Sequence, residues 1–310
     1  MMRIAIVGIG GVGGYIGAKF CSLKEADPKK YEIVFIARGK HAEAVKAEGL
    51  KVVEDKGAFT ARPSAVCSAE EAEGTFDLVL LCVKSYDIEA AVTALQHAIH
   101  PDTVIIPFAN GVDNADTVRR MVDAKVLNGC AYILSHIREP GVIRKQGKVF
   151  AALFGDPEHI GESLHVGYLF KDAGLRAMTP DAIETALWKK YLFISAFATL
   201  TSYYDTSIRT VCDAHYSVAK AVLGEIAAVA AARRIDLTGE TEKALESAAN
   251  LPPEASTSMH LDFQHRRRTE LEALTGYVVK EAERLGVAAP QMEKMYGELR
   301  ERLQRESSET

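Results

Sequence analysis

The apolar positions divide the chain into two regimes. Up to about residue 178 they come in short runs separated by polar, glycine- or proline-containing stretches, which predicts strands alternating with helices; from Asp181 onward the spacing is helical only. Arg3-Ile4-Ala5-Ile6-Val7 predicts a short buried strand bounded by glycine, with a helix over 15–23 behind it. A polar loop containing Pro28 leads to a second strand, 31–37, and a helix over 41–49. Residues 50–53 and 58–62 predict a β-hairpin around Asp55-Lys56-Gly57. Residues 76–83 are almost wholly apolar, as expected of a strand in the middle of a parallel sheet. An alanine-rich helix to about His97 and a strand over 103–108 follow. The β-rich stretches 125–135, 142–146 and 149–154, punctuated by Pro140-Gly141 and Gly147-Lys148, predict an antiparallel extension of that sheet. A helix over 158–173 and an edge strand over 175–178 close this half, and Thr179-Pro180 marks a boundary between domains 1–179 and 180–310.

The second half predicts helices alone: 181–203 with the single tryptophan, a long alanine-rich helix over 211–234, then 240–250, 256–264, 269–285 and 291–304. Thr206-Ser207 supplies a cap, Gly286 a helix end and Pro290 a helix start.

Composition narrows the function. With 310 residues and 48% hydrophobic content, the chain can fill two domain cores. A formal net charge of −5 argues against nucleic acid or an anionic membrane as partner. No apolar run is long enough to span a bilayer, and the apolar N-terminus runs straight into a glycine turn, so it reads as a strand and not a signal peptide. The five cysteines are odd in number and contain no C-x-x-C, the usage of reduced thiols in a cytoplasmic protein. His97 and His100 lack a nearby carboxylate or cysteine partner and no H-E-x-x-H occurs, so no metal is expected.

The most informative stretch is Gly8-Ile9-Gly10-Gly11-Val12-Gly13, a G-x-G-x-x-G turn between a strand and a helix. Gly8 permits the tight turn, Gly10 lets backbone approach a pyrophosphate, Gly13 lets helix and strand pack closely, and the helix N-terminus offers N–H groups to phosphate; Gly11 and Val12 belong to the same cradle. The second strand ends at Arg38-Gly39-Lys40 where an NAD site would carry a carboxylate. A guanidinium there pairs with a 2′-phosphate, so Arg38 points to NADP with Lys40 as a helper; the alternative is a solvated arginine. Lys84 and Asn110 stand at two further strand ends, where open α/β sheets bind ligands, though an exposed lysine and a turn asparagine are the plainer readings. Lys189 and Lys190 follow Trp188 on an apolar helix, where periodicity alone favours snorkelling surface residues.

Together these stretches resemble the ketopantoate reductase (2-dehydropantoate 2-reductase) family: the glycine turn, Ala37-Arg38-Gly39, Leu81-Cys82-Val83-Lys84-Ser85, Asn110-Gly111, Trp188-Lys189-Lys190, and Ser256-Thr257-Ser258-Met259 followed by Thr269-Glu270-Leu271-Glu272 and Gly276-Tyr277. The resemblance covers nearly the whole chain, and its last block is the most specific. It implies a Rossmann dinucleotide-binding domain and a helical domain of the 6-phosphogluconate dehydrogenase C-terminal kind. It also implies NADPH-dependent reduction of ketopantoate to pantoate for pantothenate and coenzyme A synthesis. By position, Lys190 corresponds to the family's general acid, Arg38 to the 2′-phosphate ligand, Lys84 and Asn110 to groups at nicotinamide and substrate, Glu270 to the ligand of the substrate hydroxyl and Ser258 to that of its carboxylate. The expected partner is a small 2-oxo acid, and a homodimer is compatible with the resemblance. The chain departs from the pattern at Ile194, Ala198 and Ala255, where the family usually has asparagine. Ser195, Thr199 and Thr201 are candidates to compensate. The departures keep two alternatives open: a related reductase of another 2-oxo or 3-hydroxy acid, and a catalytically silent NADP-binding regulator.

Overall fold

Strand β1 (Met2–Val7) is the centre of the first half of the chain in a computed structural model that describes residues 1–308. Around it come α1 (Gly11–Ala26), β2 (Tyr31–Ile36), α2 (Gly39–Glu48), β3 (Leu50–Glu54), β4 (Gly57–Ala61), β5 (Ala65–Cys67), β6 (Leu78–Leu81), α3 (Ile88–Leu95), β7 (Val104–Pro107), α4 (Asn114–Arg119) and β8 (Lys125–Val126). Six of these strands form one sheet in the order β5-β2-β1-β6-β7-β8, every pair parallel. With the β3–β4 hairpin set aside, this is the doubly wound order, reversing between β1 and β6. The inner strands are apolar on both faces because helices cover both: Ile4, Ala5, Ile6, Leu78 and Leu80 are fully buried.

The long strands β9 (Asn128–Glu139) and β10 (Val142–Gly155) do not extend that sheet as the pattern predicts; only β8 joins it. They pair with each other antiparallel, and β10 also pairs in parallel with β3 and with β11 (Ala177–Met178). The result is a second sheet, β11-β10-β3-β4, with β9 alongside β10. Helix α1 packs against strands of both sheets, which accounts for its glycines. A Cβ on Gly17 would fall 2.7 Å from the Phe35 ring on the parallel sheet, and one on Gly14 would fall 2.8 Å from Ile143 Cγ1 on the second. Helix α5 (Ile160–Asp172) completes this unit, which comprises Met1–Ala109 and Asp113–Ile183.

The second compact unit consists of Asn110–Val112 and the chain from Glu184 onward. Its helices are α6 (Ile183–Tyr204), α7 (Ile208–Ala214), α8 (Tyr216–Ala232), α9 (Glu240–Ala249), α10 (Ser258–Gln264), α11 (Tyr277–Leu285) and α12 (Pro290–Ser308). Tyr191, Phe197, Leu200, Val222, Ile226 and Phe263 form its core. The helix expected over 211–234 is two helices. Ser207 caps α7 by accepting the Thr210 N–H, and the chain breaks at His215, whose ring stacks on Tyr204 with centroids 3.7 Å apart. The helix expected over 269–285 begins at Leu271 and passes through a π-turn, Glu272–Gly276, before α11. Among the described residues no helix is long and apolar enough to cross a membrane.

Candidate active site

At the end of β1, Gly8 takes φ +84°, a left-handed conformation that glycine adopts without strain, and its N–H donates to Ile36 O at 2.9 Å. The other glycines of the turn divide the work. A Cβ on Gly13 would lie 2.0 Å from Gly8 O and 2.6 Å from Cys82 Cβ, and one on Gly11 would lie 2.3 Å from Ser135 O. Those two are required by packing. A Cβ on Gly10 would meet no protein atom within 4 Å, so packing does not explain this glycine; its backbone faces open space. The first backbone bond inside α1 runs from Gly14 N–H to Gly10 O at 2.7 Å. The N–H groups of Gly11, Val12 and Gly13 therefore precede the helical ladder, at the positive end of a helix of 16 residues. An open backbone surface, three unladdered N–H donors and a helix dipole fit a dinucleotide pyrophosphate.

His41 braces this turn, and no sequence signal pointed to it. Its Nδ1 accepts the Gly141 N–H at 3.0 Å, so the ring proton sits on Nε2 and donates to Ile9 O at 3.0 Å. Burial lowers its pKa, which favours the neutral ring that both bonds require.

The remaining predicted nucleotide residues of this unit stand at the same sheet edge. Arg38 is exposed, extended, and caps α2 just past the end of β2; among the described residues it has no carboxylate within ion-pair distance. Lys40 is exposed two residues on. Cys82 N–H donates to Val7 O at 2.7 Å, which joins the ends of β6 and β1 at the reversal of strand order. Lys84, half-buried, follows there and opens the short turn Ser85–Asp87.

In the helical unit the structure brings Lys190 and Asn110 together: Lys190 Nζ donates to Asn110 Oδ1 at 3.3 Å. The two lysines of the tandem differ. Lys189 is exposed and pairs with Glu240 at 3.2 Å, whereas Lys190 is half-buried. Ile194 and Ala198 share the Lys190 face of α6 at helical spacing, so both positions are apolar on that face.

Ser195, Thr199 and Thr201 do not replace them. All three are fully buried. Ser195 Oγ donates to Leu274 O at 2.6 Å, Thr199 Oγ1 to Ser195 O at 2.8 Å, and Thr201 Oγ1 to Phe197 O at 2.6 Å. Thr199 also bonds Thr275 at 2.7 Å, and Tyr191 OH donates to Ala273 O and Leu274 O at 2.8 and 2.9 Å. A π-turn leaves carbonyls out of the regular ladder. The Ser195 and Tyr191 hydroxyls satisfy two of them, Ala273 O and Leu274 O, while Thr199 and Thr201 bond carbonyls of α6 itself.

Glu270 is 2% exposed. Ser258 is exposed at the first position of α10, while its neighbour Thr257 caps the helix by accepting the His260 N–H at 3.2 Å and bonds Thr201 at 2.8 Å. The next turn holds another group without a sequence signal. His260 is 2.7 Å from Asp205 through Nε2 and 2.6 Å from Ser256 through Nδ1, and that contact holds the Asp205 carboxyl below its ordinary range. The helical unit thus combines an ammonium oriented by an amide, a buried carboxylate and an exposed hydroxyl. Among the described residues no group of three histidine, cysteine or acidic side chains could hold a metal ion.

Residues 4–158 match the family model described as ketopantoate reductase PanE/ApbA, and residues 182–303 match that of the ketopantoate reductase PanE/ApbA C terminal. An uncharacterized oxidoreductase of Bacillus subtilis, YkpB, is 28% identical over 96% of this chain and 98% of its own. The 2-dehydropantoate 2-reductase of Archaeoglobus fulgidus is 27% identical over 93% of each chain. The crystal structure of 2-dehydropantoate 2-reductase from Porphyromonas gingivalis W83 is similar at a TM-score of 0.84 and 34% identity, covering 96% of this chain and 99% of that one.

Proposed function

The chain belongs to the ketopantoate reductase family and is an oxidoreductase, and from that premise we propose that it is an NADPH-dependent cytoplasmic reductase of 2-dehydropantoate. The observation that carries the reading is the Lys190–Asn110 pair, a half-buried ammonium whose direction is set by an amide oxygen. The nicotinamide nucleotide, when bound, supplies the hydride. The α1 N-terminus and Gly10 would hold its pyrophosphate, and Arg38 would supply the guanidinium for the 2′-phosphate. Lys84 adds positive charge at the same edge.

Lys190 donates a hydrogen bond to the ketone oxygen, stabilises the negative charge that develops there and delivers the proton. Lysine suits this step because arginine does not release its proton at working pH. Asn110 accepts from Nζ and keeps it aimed. Ser258 donates to the substrate carboxylate. Glu270, an acceptor when ionised, accepts a hydrogen bond from the substrate hydroxyl and so selects a hydroxy-2-oxo acid.

One observation favours a second reading, reduction of another 2-oxo acid. Ile194 and Ala198 make the Lys190 face of α6 apolar, and Ala255 removes a third polar position near Ser258. Such a site accommodates a more apolar substrate.

Lys190→Ala tests the assignment. Turnover falls about 100-fold or more while NADPH affinity stays within about twofold. Unchanged turnover removes Lys190 from the acid role.

A further inference from the structure

The helical unit also carries a cleft whose lining does not include Lys190. This cleft, of about 480 Å³, is lined by Arg266, Arg267, Arg268 and Arg300, with two carboxylates, Glu272 and Glu306. Both carboxylates are engaged elsewhere. Glu272 accepts from Lys280 at 2.6 Å and from the Tyr296 hydroxyl at 2.7 and 2.8 Å, and Glu306 pairs with Arg302 at 3.3 Å. Arg267 is partnered by Asp262 at 3.6 Å. Among the described residues, Arg266 and Arg300 have no carboxylate within ion-pair distance. Arg300 instead lies over the Tyr296 ring, 5.3 Å from its centroid. An acidic chain of net charge −5 thus keeps a cluster of guanidinium groups around one cleft.

Arg266 adds an independent sign. Its φ is +52°, in the left-handed region where a long L side chain is strained. Glycine would relieve that strain, so the arginine at this position is not explained by the backbone.

We propose that this cleft binds a compact anion bearing two linked phosphate groups, either free pyrophosphate or the phosphate end of a nucleotide. Guanidinium donors match phosphate oxygens in pairs, which a lysine cluster would not do. Several cations around one small volume call for more than one negative charge on the ligand. The size of the cleft suits a small ion and not a polymer.

The test is isothermal titration of pyrophosphate into the full-length protein, with the dinucleotide site filled by saturating nicotinamide nucleotide and at low salt. One saturable site is expected, weakened about fivefold or more when ionic strength rises to about 0.2 M. Arg300→Ala and Arg266→Gly each weaken binding about two- to fivefold, as exposed charge contacts do. Arg266→Gly does so without lowering the melting temperature, because glycine accepts the left-handed backbone. An arm with ATP separates the sources: tighter binding of ATP marks a nucleotide end, and tighter binding of pyrophosphate marks the free anion. Loss of binding when the nicotinamide site is filled overturns the proposal. So does unchanged affinity when Arg266→Gly and Arg300→Ala are combined, tighter binding of a single-stranded oligonucleotide, or absence of binding at about 5 mM.

Discussion

Two alanine substitutions one helical turn apart separate the glycine that serves the fold from the one that serves the ligand. In Gly13→Ala the new methyl would sit 2.0 Å from Gly8 O and 2.6 Å from Cys82 Cβ. The first of those atoms is backbone, so the start of α1 must move away from β1. Overpacking of this kind costs about 1–3 kcal/mol. For a unit of this size that lowers the melting temperature by roughly 3–10 °C. In Gly10→Ala the methyl meets no protein atom within 4 Å, so the melting temperature without nucleotide falls by less than in Gly13→Ala, by about 1–2 °C at most. The same methyl projects into the space assigned to the pyrophosphate and holds it off the Gly11, Val12 and Gly13 N–H groups. Loss of one charge-assisted hydrogen bond is worth about 1.5–3 kcal/mol, a fall in NADPH affinity of about 10- to 100-fold. Thermal melts without nucleotide and fluorescence titration with NADPH read the two effects separately. Wild-type NADPH affinity in stable Gly10→Ala, or a melting point lowered as far as in Gly13→Ala, would refute the division of roles.

Three further substitutions probe other parts of the account. Arg38→Ala should weaken NADPH about 10- to 100-fold and leave NADH nearly unchanged in competition titrations; equal effects on both would remove the 2′-phosphate role. Ser195→Ala leaves Leu274 O without its partner and should cost about 1–2 kcal/mol in urea unfolding while the KM for the 2-oxo acid stays constant; a raised KM at full stability would return Ser195 to the substrate shell. Glu281 is held by Arg284 at 2.6 and 2.8 Å and by Arg233 at 2.6 Å, which lowers its pKa from 4.5 to about 2. Its folded pKa is depressed, so its contribution, at most about 3 kcal/mol, is complete above pH 4.5 and disappears as pH falls through about 2. Wild type should therefore exceed Glu281→Gln in stability at pH 7, with the gap closing between those two values; a gap independent of pH would mean that packing, not charge, stabilises this site.

The strand, glycine turn and helix that open the chain were legible because their signals are local. A strand, a glycine turn and a helix follow one another directly, and Arg38 closes the next strand. The β3–β4 hairpin was legible for the same reason: its turn residues lie between its own strands, with Glu54 facing Gly57. Sheet membership was not. The strands 125–154 announce themselves by pattern, but β10 takes β3 as partner, across a long stretch of intervening chain, and no periodicity encodes that choice.

Helix α6 posed a different difficulty. It is apolar on nearly every face, so periodicity could not tell that Lys190 meets Asn110 while Ser195 and Thr199 turn toward the π-turn. A π-turn has no composition of its own, since it arises from how its carbonyls are satisfied. His41 and His260 were missed on similar grounds. Each is a lone histidine, and its meaning comes from two partners remote in sequence or revealed only by the turn that brings them near.

The central claim, NADPH-dependent reduction of a hydroxy-2-oxo acid, is tested most directly by steady-state oxidation of NADPH with ketopantoate beside a panel of unbranched and more apolar 2-oxo acids. Turnover with ketopantoate is expected at the highest kcat/KM of the panel and is lost in Lys190→Ala. No NADPH oxidation with any member, by protein that still binds the nucleotide, would contradict it.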